Sequence, residues 1–468
     1  MSRASGTGLT SFYDMSPRQR DDLLLEEIRF QHHWHYQRNS SYRATLSLRG
    51  VGPEITEDHI HRLLRVSAIS FKSYIEQLGT PFPQDRPREF VQWILEQISI
   101  PPCETAPLSR VAKMIRANFR TVRRSYRNLE ALLCDVERLF EEAGIEIVTS
   151  SGTSGTAAIL LRDSSSKRIA TEAYFAAIEH AWGIKSDHNL IFVMPHQTRV
   201  AMARIARMAT HELGWAERNR ILYTMPFSAT PDIIRIRMGR LFRTGLKGML
   251  EQSVLHPFME WANERLAEKK YIRATVGALE QYTTMGKPLL LLGGLVQLDS
   301  ISRFISDRGG MSLPQGSRIA TGGGMKQLYW RTPAEIRSDL ERAFRVSDGT
   351  AAPVTDIYGM AEGNWAAFQC TEGNYHLPPW LYVSVMDDDD NPLAGNDITG
   401  LLAFWDPFGG GRVYPPFFQT ADRVRLINAN RFYDPQKVCD CGDRTSYIKR
   451  ESIQRVDLME EAGCGATI

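Results

Sequence analysis

Four short segments of the chain carry the residue types that nucleotide and phosphate chemistry need. The first is Ser150-Ser151-Gly152-Thr153-Ser154-Gly155-Thr156. Its small residues let backbone N–H groups approach phosphate oxygens, and its hydroxyls add donors without bulk. It lacks a Gly-Lys-Ser/Thr ending, so it is not the Walker-type loop, and alone it reads equally well as a linker. The second is Ala320-Thr321-Gly322-Gly323-Gly324-Met325-Lys326. Three glycines allow a flat ligand to lie on the backbone, and Lys326 offers a cation to a phosphate or carboxylate. The alternative is a tight turn with a surface lysine. The third, Asp356-Ile357-Tyr358-Gly359-Met360-Ala361-Glu362, offers a ring face for a purine and, four residues on, a carboxylate suited to magnesium. A strand end with an ordinary aromatic is its other reading. The fourth, Gln419-Thr420-Ala421-Asp422-Arg423, places one carboxylate able to accept both hydroxyls of a ribose.

A second kind of chemistry is split between two places. Cys370 and His376 are separated by five residues, and Cys439 and Cys441 by one. Together they supply Cys₃His, the ligand set of a closed tetrahedral zinc site. With no open coordination position, its role would be structural: clipping the β-rich region to the C-terminal segment. The competing reading is four unlinked residues, with His376 capping a loop before Pro378-Pro379. Cys464 lies between Gly463 and Gly465, which leave its thiol uncrowded. The fourteen residues after Arg450, ending at Cys464, extend to roughly 46–50 Å. Such a tail would carry a nucleophile far, or leave an idle cysteine at a frayed end.

Elements must hold these residues, and the pattern of apolar residues says which. From Ser16 to about Ala143 the sequence is mainly helical. Leu23, Leu24, Ile28 and Phe30 recur at helical spacing, as do Leu129, Leu132, Leu133, Val136, Leu139 and Phe140. Gly- and Pro-containing breaks divide this region. Seven Lys or Arg between Arg110 and Arg127 read as a solvated helix face. After Gly144, residues 145–148, 190–194 and 289–292 are short buried strands, each followed by a helical run, the pattern of a largely parallel sheet covered by helices. Beyond Pro378 the pieces 380–386, 400–405 and 423–427 are β-rich. Asp387, Asp388, Asp389 and Asp390 between two of them read as a charged hairpin turn before a metal site. The expected division is a helical region 1–144, a core 145–438 and a short C-terminal segment 439–468.

Composition excludes other classes. The 468 residues are 43% hydrophobic and 24% charged, with a formal net charge of +2, so no basic field for nucleic acid or an anionic membrane is expected. The apolar stretch 288–296 is too short to span a bilayer. Six cysteines make no disulfide framework in so long a chain, and the polar first fourteen residues do not form an export signal, so the reducing cytoplasm is the expected compartment.

In their order, the Ser/Gly/Thr loop, Tyr358-Gly359-Met360-Ala361-Glu362 and Thr420-Ala421-Asp422 resemble the signature of the adenylate-forming superfamily of acyl-CoA synthetases, luciferases and peptide-synthetase adenylation domains. Gly322-Gly323-Gly324-Met325-Lys326, His376-Leu377-Pro378-Pro379-Trp380, Cys439-Asp440-Cys441-Gly442 and Glu461-Ala462-Gly463-Cys464 are similar to one branch of it. That branch is the acyl-protein synthetase of the bacterial bioluminescence fatty-acid reductase complex, near the phenylacetate-CoA ligases. The resemblance implies an α/β fold with the adenylate-forming N-terminal-domain architecture, meaning helix-flanked sheets plus a small β-rich subdomain, here with a helical N-terminal region and a shortened C-terminal domain.

It also implies roles. Ser151, Gly152, Thr153, Ser154, Gly155 and Thr156 would cradle the phosphates of ATP. Gly322, Gly323 and Gly324 with Asp356, Tyr358, Gly359 and Met360 would hold the nucleotide. Glu362 would bind Mg²⁺, Asp422 would grip the ribose and Lys326 would act at the reacting centre. His196 stands after a strand where many relatives place a residue beside the acyl carboxylate. Cys464 would accept the acyl group as a thioester for an acyl reductase or acyltransferase partner. Two departures alter the pattern: Ala361 stands where the superfamily usually has Thr, and the Ser/Gly/Thr loop lacks the lysine that often follows it. The implied activity is formation of an acyl-adenylate from a carboxylic acid, then acyl transfer to a protein thiol. Delivery to coenzyme A or an amine, and a non-catalytic nucleotide-binding scaffold, are the alternatives.

Overall fold

The computed structural model describes residues 8–117, 122, 124–150, 156–185, 187–212, 220–239, 241–262, 266, 268–322, 329–409 and 411–456. The chain forms two units. One comprises Met1–Val148, Ala158–Ala176 and Met360–Ile468, and the other Thr149–Ala157 and Ala177–Gly359.

In the first unit the helical pattern of the sequence is realised in short pieces. Helix Pro17–Arg38 starts where Ser16 accepts from the Gln19 amide while the Gln19 side chain returns to Ser16, with proline at the first helical position. That arrangement satisfies orphan donors at the N-terminus and presets φ. The helix buries Leu24, Leu25 and Ile28, and also His32 and His35. The helical residues after Arg110 do not run on as one rod. They form Pro107–Ala117 and Leu129–Leu139, and the second begins at Asn128, whose side chain accepts from the Ala131 amide. A fresh cap of this kind restarts a helix after a break.

The β-rich part of this unit lines up Tyr382–Met386, Asp397–Trp405, Phe417–Ile427, Tyr447–Ile448, Tyr375–His376 and Ala366–Gln369 in that order. Their pairings from Tyr382–Met386 across to Ala366–Gln369 are antiparallel. Strand Phe417–Ile427 also takes Arg65–Val66 in parallel, with Arg65 opposite Phe418, and Gln454–Arg455 antiparallel. Trp405, Phe404, Phe417 and Phe418 are wholly buried, and the Trp405 indole donates to the Ile60 carbonyl at 3.2 Å, so the helical region covers this sheet. Residues 387–390 are a turn: one Asp387 carboxylate oxygen accepts from the Asp389 and Asn391 amides, and Asp390 takes a φ of 63°. The Asp387 carboxylate serves backbone geometry, as expected of Asx chemistry, while Asp388 pairs with Arg423 and Asp390 accepts from the Gln419 side chain at 2.6 Å.

In the second unit the described strands Val354–Gly359, Arg318–Gly322, Leu289–Gly293, Asn189–Pro195 and Ile221–Met225 are neighbours in that order. All four pairings are parallel. Parallel sheets are covered on both faces, which is why Leu190-Ile191-Phe192-Val193 and Leu289-Leu290-Leu291-Leu292 run apolar without alternation. Helices Glu268–Thr284, Leu295–Ser306 and Pro333–Ala343 supply Leu279, Tyr282, Leu298, Ile301, Ile336 and Leu340 to this core. Truncating any of these buried leucines to alanine is worth about 2–5 kcal/mol.

Candidate functional site

Local backbone geometry brings Cys370, His376, Cys439 and Cys441 together within the first unit. Strands Ala366–Gln369 and Tyr375–His376 form a hairpin, with Phe368 opposite His376 and Gln369 opposite Tyr375. Its turn is closed by the Cys370 amide on the Asn374 carbonyl at 2.9 Å, and Gly373 takes the left-handed φ of 77° that the tight reversal requires. Tyr447–Ile448 lies alongside, with Tyr447 opposite His376. The Cys-x-Cys segment turns back through Gly442, whose amide donates to the Cys439 carbonyl at 2.8 Å.

The four ligand atoms all lie within 4.8 Å of one another. Cys370 Sγ is 3.9 Å from Cys439 Sγ, and Cys441 Sγ is 3.3 Å from His376 Nε2. A tetrahedron with metal–sulfur bonds of about 2.3 Å has S···S edges of roughly 3.8 Å, so the donor set fits an ion of zinc's size and softness. Around it, Asn374 Nδ2 donates to Cys439 Sγ at 3.3 Å. His376 Nδ1 meets Thr445 Oγ1 at 2.9 Å and Asp443 at 3.6 Å. Those outer partners fix the ring so that Nε2 faces the sulfurs, the usual support of a metal-binding histidine. Burial opposes ionisation of Cys439, but hydrogen bonds from His376, the Cys441 amide and Asn374 prevail and bring its thiol down to about 6. Burial pushes the Cys441 thiol up to about 12. Burial also disfavours a charged His376, yet Cys370 and Cys439 hold it up near about 9.

The nucleotide-binding residues expected from the sequence lie partly in each unit. In the second unit, Gly322 ends strand Arg318–Gly322 opposite Ile357, and Thr321 stands opposite Asp356. The Thr321 hydroxyl donates to the Asp356 carboxylate and reaches the Thr355 carbonyl at 3.4 Å. Tyr358 and Gly359 end strand Val354–Gly359, and His196 directly follows Asn189–Pro195. These positions share the C-terminal edge of the parallel strands, where open α/β sheets receive ligands. His196 is exposed, its ring edge-on to Tyr223 with centroids 5.1 Å apart. Thr156 is half-buried.

In the first unit, Met360, Ala361 and Glu362 begin the segment that leads to Ala366–Gln369. Burial raises the half-buried Glu362 carboxyl above its ordinary range, nearby Asp422 adds to the rise, and Arg162 and Arg455 oppose it. Asp422 lies in Phe417–Ile427 with its side chain 14% exposed, 3.6 Å from the Arg455 guanidinium and paired in register with Arg455. Ser151, Gly152, Thr153, Ser154, Gly155, Gly323, Gly324, Lys326 and Cys464 lie outside the described residues. Sequence reasoning passed over Arg162, Asn364 and Asp406, which are buried beside the Glu362 segment. The available signal was an arginine ending the apolar run Ile159-Leu160-Leu161, a place where a charge has no solvent to meet.

Residues 246–468 match the family described as acyl-protein synthetase, LuxE. Over that stretch the chain is similar to the acyl-protein synthetase family. The family region holds Gly322, Asp356, Tyr358, Glu362 and Asp422 together with the Cys₃His cluster, whereas Thr156, Arg162 and His196 precede it. A long-chain-fatty-acid–luciferin-component ligase of Aliivibrio fischeri is 26% identical over 153 residues, 32% of this chain and 36% of that relative. The chain therefore aligns with about a third of that curated relative's length. An open conformation of a 2-hydroxyisobutyryl-CoA ligase, solved with 2-HIB-AMP and CoA, aligns over 96% of this chain and 77% of its own, at 13% identity and a TM-score of 0.53. That likeness establishes an α/β fold resembling adenylate-forming ligases. Among the described residues no helix is long and apolar enough to cross a membrane.

Proposed function

We propose that this chain activates a carboxylic acid with MgATP and passes the acyl group to a protein thiol. One carboxylate oxygen attacks the α-phosphorus, the bond to the β-phosphate bridge oxygen breaks, and pyrophosphate leaves with its electron pair. Positioning and neutralisation of charge dominate such a step, because the anhydride forms without protein covalent chemistry. In this reading Ser151 to Thr156 hold the phosphates. Gly322 to Gly324, Asp356, Tyr358, Gly359 and Met360 receive the nucleoside, Asp422 the ribose, and Glu362 the magnesium of the substrate complex. Lys326 meets the reacting phosphate or carboxylate, and His196 faces the acyl carboxylate. The Cys464 thiolate then attacks the acyl carbonyl and AMP departs, leaving a thioester for an acyl reductase or acyltransferase partner. A long-chain fatty acid is the first acid to try, given the substrate named for the Aliivibrio fischeri ligase. Zinc bound by Cys370, His376, Cys439 and Cys441 would tie Tyr375–His376 to the Cys-x-Cys segment without entering the reaction. The same reading takes the fold as the adenylate-forming N-terminal-domain architecture with a shortened C-terminal domain.

The supporting observation is the synthetase-family match across residues 246–468, which contains most of these positions. ATP–pyrophosphate exchange across a panel of carboxylic acids tests it. Exchange should appear only with the correct acid, and its absence with every acid and bound MgATP would leave the scaffold alternative. Cys464→Ala should keep exchange and lose stable self-acylation. Transfer to coenzyme A or an amine that survives this change would replace the protein thiol as acceptor.

A further inference from the structure

We propose that Arg162 is a positioning residue, which from within the protein core fixes the peptide carrying Glu362 and so sets how that carboxylate is presented. The inference rests on reading Glu362 as the carboxylate that meets the metal of MgATP. Arg162 ends strand Ile159–Arg162, all four residues of which are buried, and is itself only 2% exposed. A guanidinium so placed is costly unless its donors are used, and swapping buried ionic groups for apolar ones is often neutral or stabilising. Stability alone therefore gives little reason to keep it.

Its donors point to a task. Nη2 donates to the Ala361 carbonyl at 2.5 Å, Nη1 reaches the Leu161 carbonyl at 3.5 Å, and the guanidinium lies 5.5 Å from the Tyr414 ring centroid. The far side of the same segment is held by another buried charge. Asp406 accepts the Asn364 amide at 3.3 Å and the Gly409 amide at 2.8 Å, and the Asn364 side chain donates to the Gly409 carbonyl. Between these two anchors lie Glu362 and Gly363. A Cβ on Gly363 would come within 2.4 Å of the Trp365 indole nitrogen, so the chain is also pressed against a wholly buried side chain. Thus Ala361 is clamped by a cation and Asn364 by an anion, and Glu362 is the one ionisable side chain between the clamps. Arg162 acts through the Ala361 carbonyl and need not touch the nucleotide.

The experiment compares the full-length protein with Arg162→Lys, Arg162→Met and Glu362→Gln. Binding of Mn²⁺ to the ATP complex is read by electron paramagnetic resonance, binding of metal-free ATP in EDTA is read separately, and thermal midpoints accompany both. Loss of an outer support of a metal ligand typically weakens metal binding roughly 10- to 100-fold. That weakening is expected in both Arg162 variants, smaller in Arg162→Lys, with metal-free ATP binding unchanged. Folded Arg162 variants that bind Mn²⁺ as tightly as the parent would overturn the proposal. If Arg162→Met does not fold, Arg162→Lys decides alone, because it retains the charge and loses the planar fork. Should Glu362→Gln bind Mn²⁺ normally, the reading of Glu362 itself fails. Should only Glu362→Gln lose the metal, that reading stands and the role of Arg162 is refuted.

Discussion

Cys439 shows how much a single side chain depends on its neighbours. Alone it would be a core thiol among Ile427 and Tyr447. With His376, Cys370 and Cys441 within 4.8 Å it becomes one corner of a closed donor set. Purified protein is expected to carry close to one equivalent of zinc per chain, and Cys439→Ala to carry almost none, by elemental analysis. Zinc-free parent protein would refute the assignment. Gly363 makes a second test at this scale. An alanine there meets the Trp365 indole at 2.4 Å, and Trp365 is wholly buried, so the clash cannot be relieved by a flexible side-chain tip. Gly363→Ala should cost about 1–3 kcal/mol in denaturant unfolding. A change of a few tenths would mean that the segment moves aside. The ligand types of the Cys₃His cluster were legible in the sequence because cysteine and histidine are scarce. Arg162 was not, because an arginine ending a short apolar run reads as an ordinary strand boundary.

Helix Pro17–Arg38 carries a liability of its own. His32 meets the Tyr42 hydroxyl at 3.2 Å and the Gly52 carbonyl at 2.9 Å, and His35 meets the Ser99 hydroxyl at 2.6 Å. Burial lowers the pKa of both, and for His35 the Arg65, Arg38 and Arg412 guanidinium groups act in the same direction. Both are therefore neutral in the folded state at pH 7. An unfolded histidine takes up its proton near pH 6.5, so the unfolded state binds more protons below that value. The stability these residues contribute is present above about pH 6.5 and is lost as pH falls below it. Urea midpoints at pH 7.5 and 5.5 should diverge in the parent and diverge less in a folded His35→Gln variant, which keeps His32; equal divergence in both would sink the account. At this scale the sequence was readable where burial writes a long pattern. The apolar runs at 190–194 and 289–292 fall within strands Asn189–Pro195 and Leu289–Gly293. Tyr375–His376 and Tyr447–Ile448 were invisible, since two-residue strands carry no periodicity and are defined by partners far away in sequence.

For the molecule, the order of motifs carried more information than any one of them. A glycine-rich turn, a tyrosine and an aspartate are each common, yet their succession pointed to the family that residues 246–468 match. What order could not convey is that the chain is partitioned unevenly in space. Residues Ala177–Gly359 make up nearly all of one unit, while the other is assembled from Met1–Val148, Ala158–Ala176 and Met360–Ile468.

The pairing of Arg65 with Phe418 and of Val66 with Gln419 has a consequence for synthesis on the ribosome. Translation proceeds from the N-terminus, so the early helices emerge long before the strand that completes their sheet exists. The parallel strands from Asn189 to Gly359, by contrast, pair with one another within one continuous stretch. Arrest-peptide force measurements on nascent chains should register a first folding event once Gly359 has left the exit tunnel, and a second only after Ile427 has followed. A single early event from the N-terminal helices would contradict this sequence of assembly. In the interval, about a third of the polypeptide waits with its apolar faces uncovered, the stage at which a holding chaperone would find its substrate.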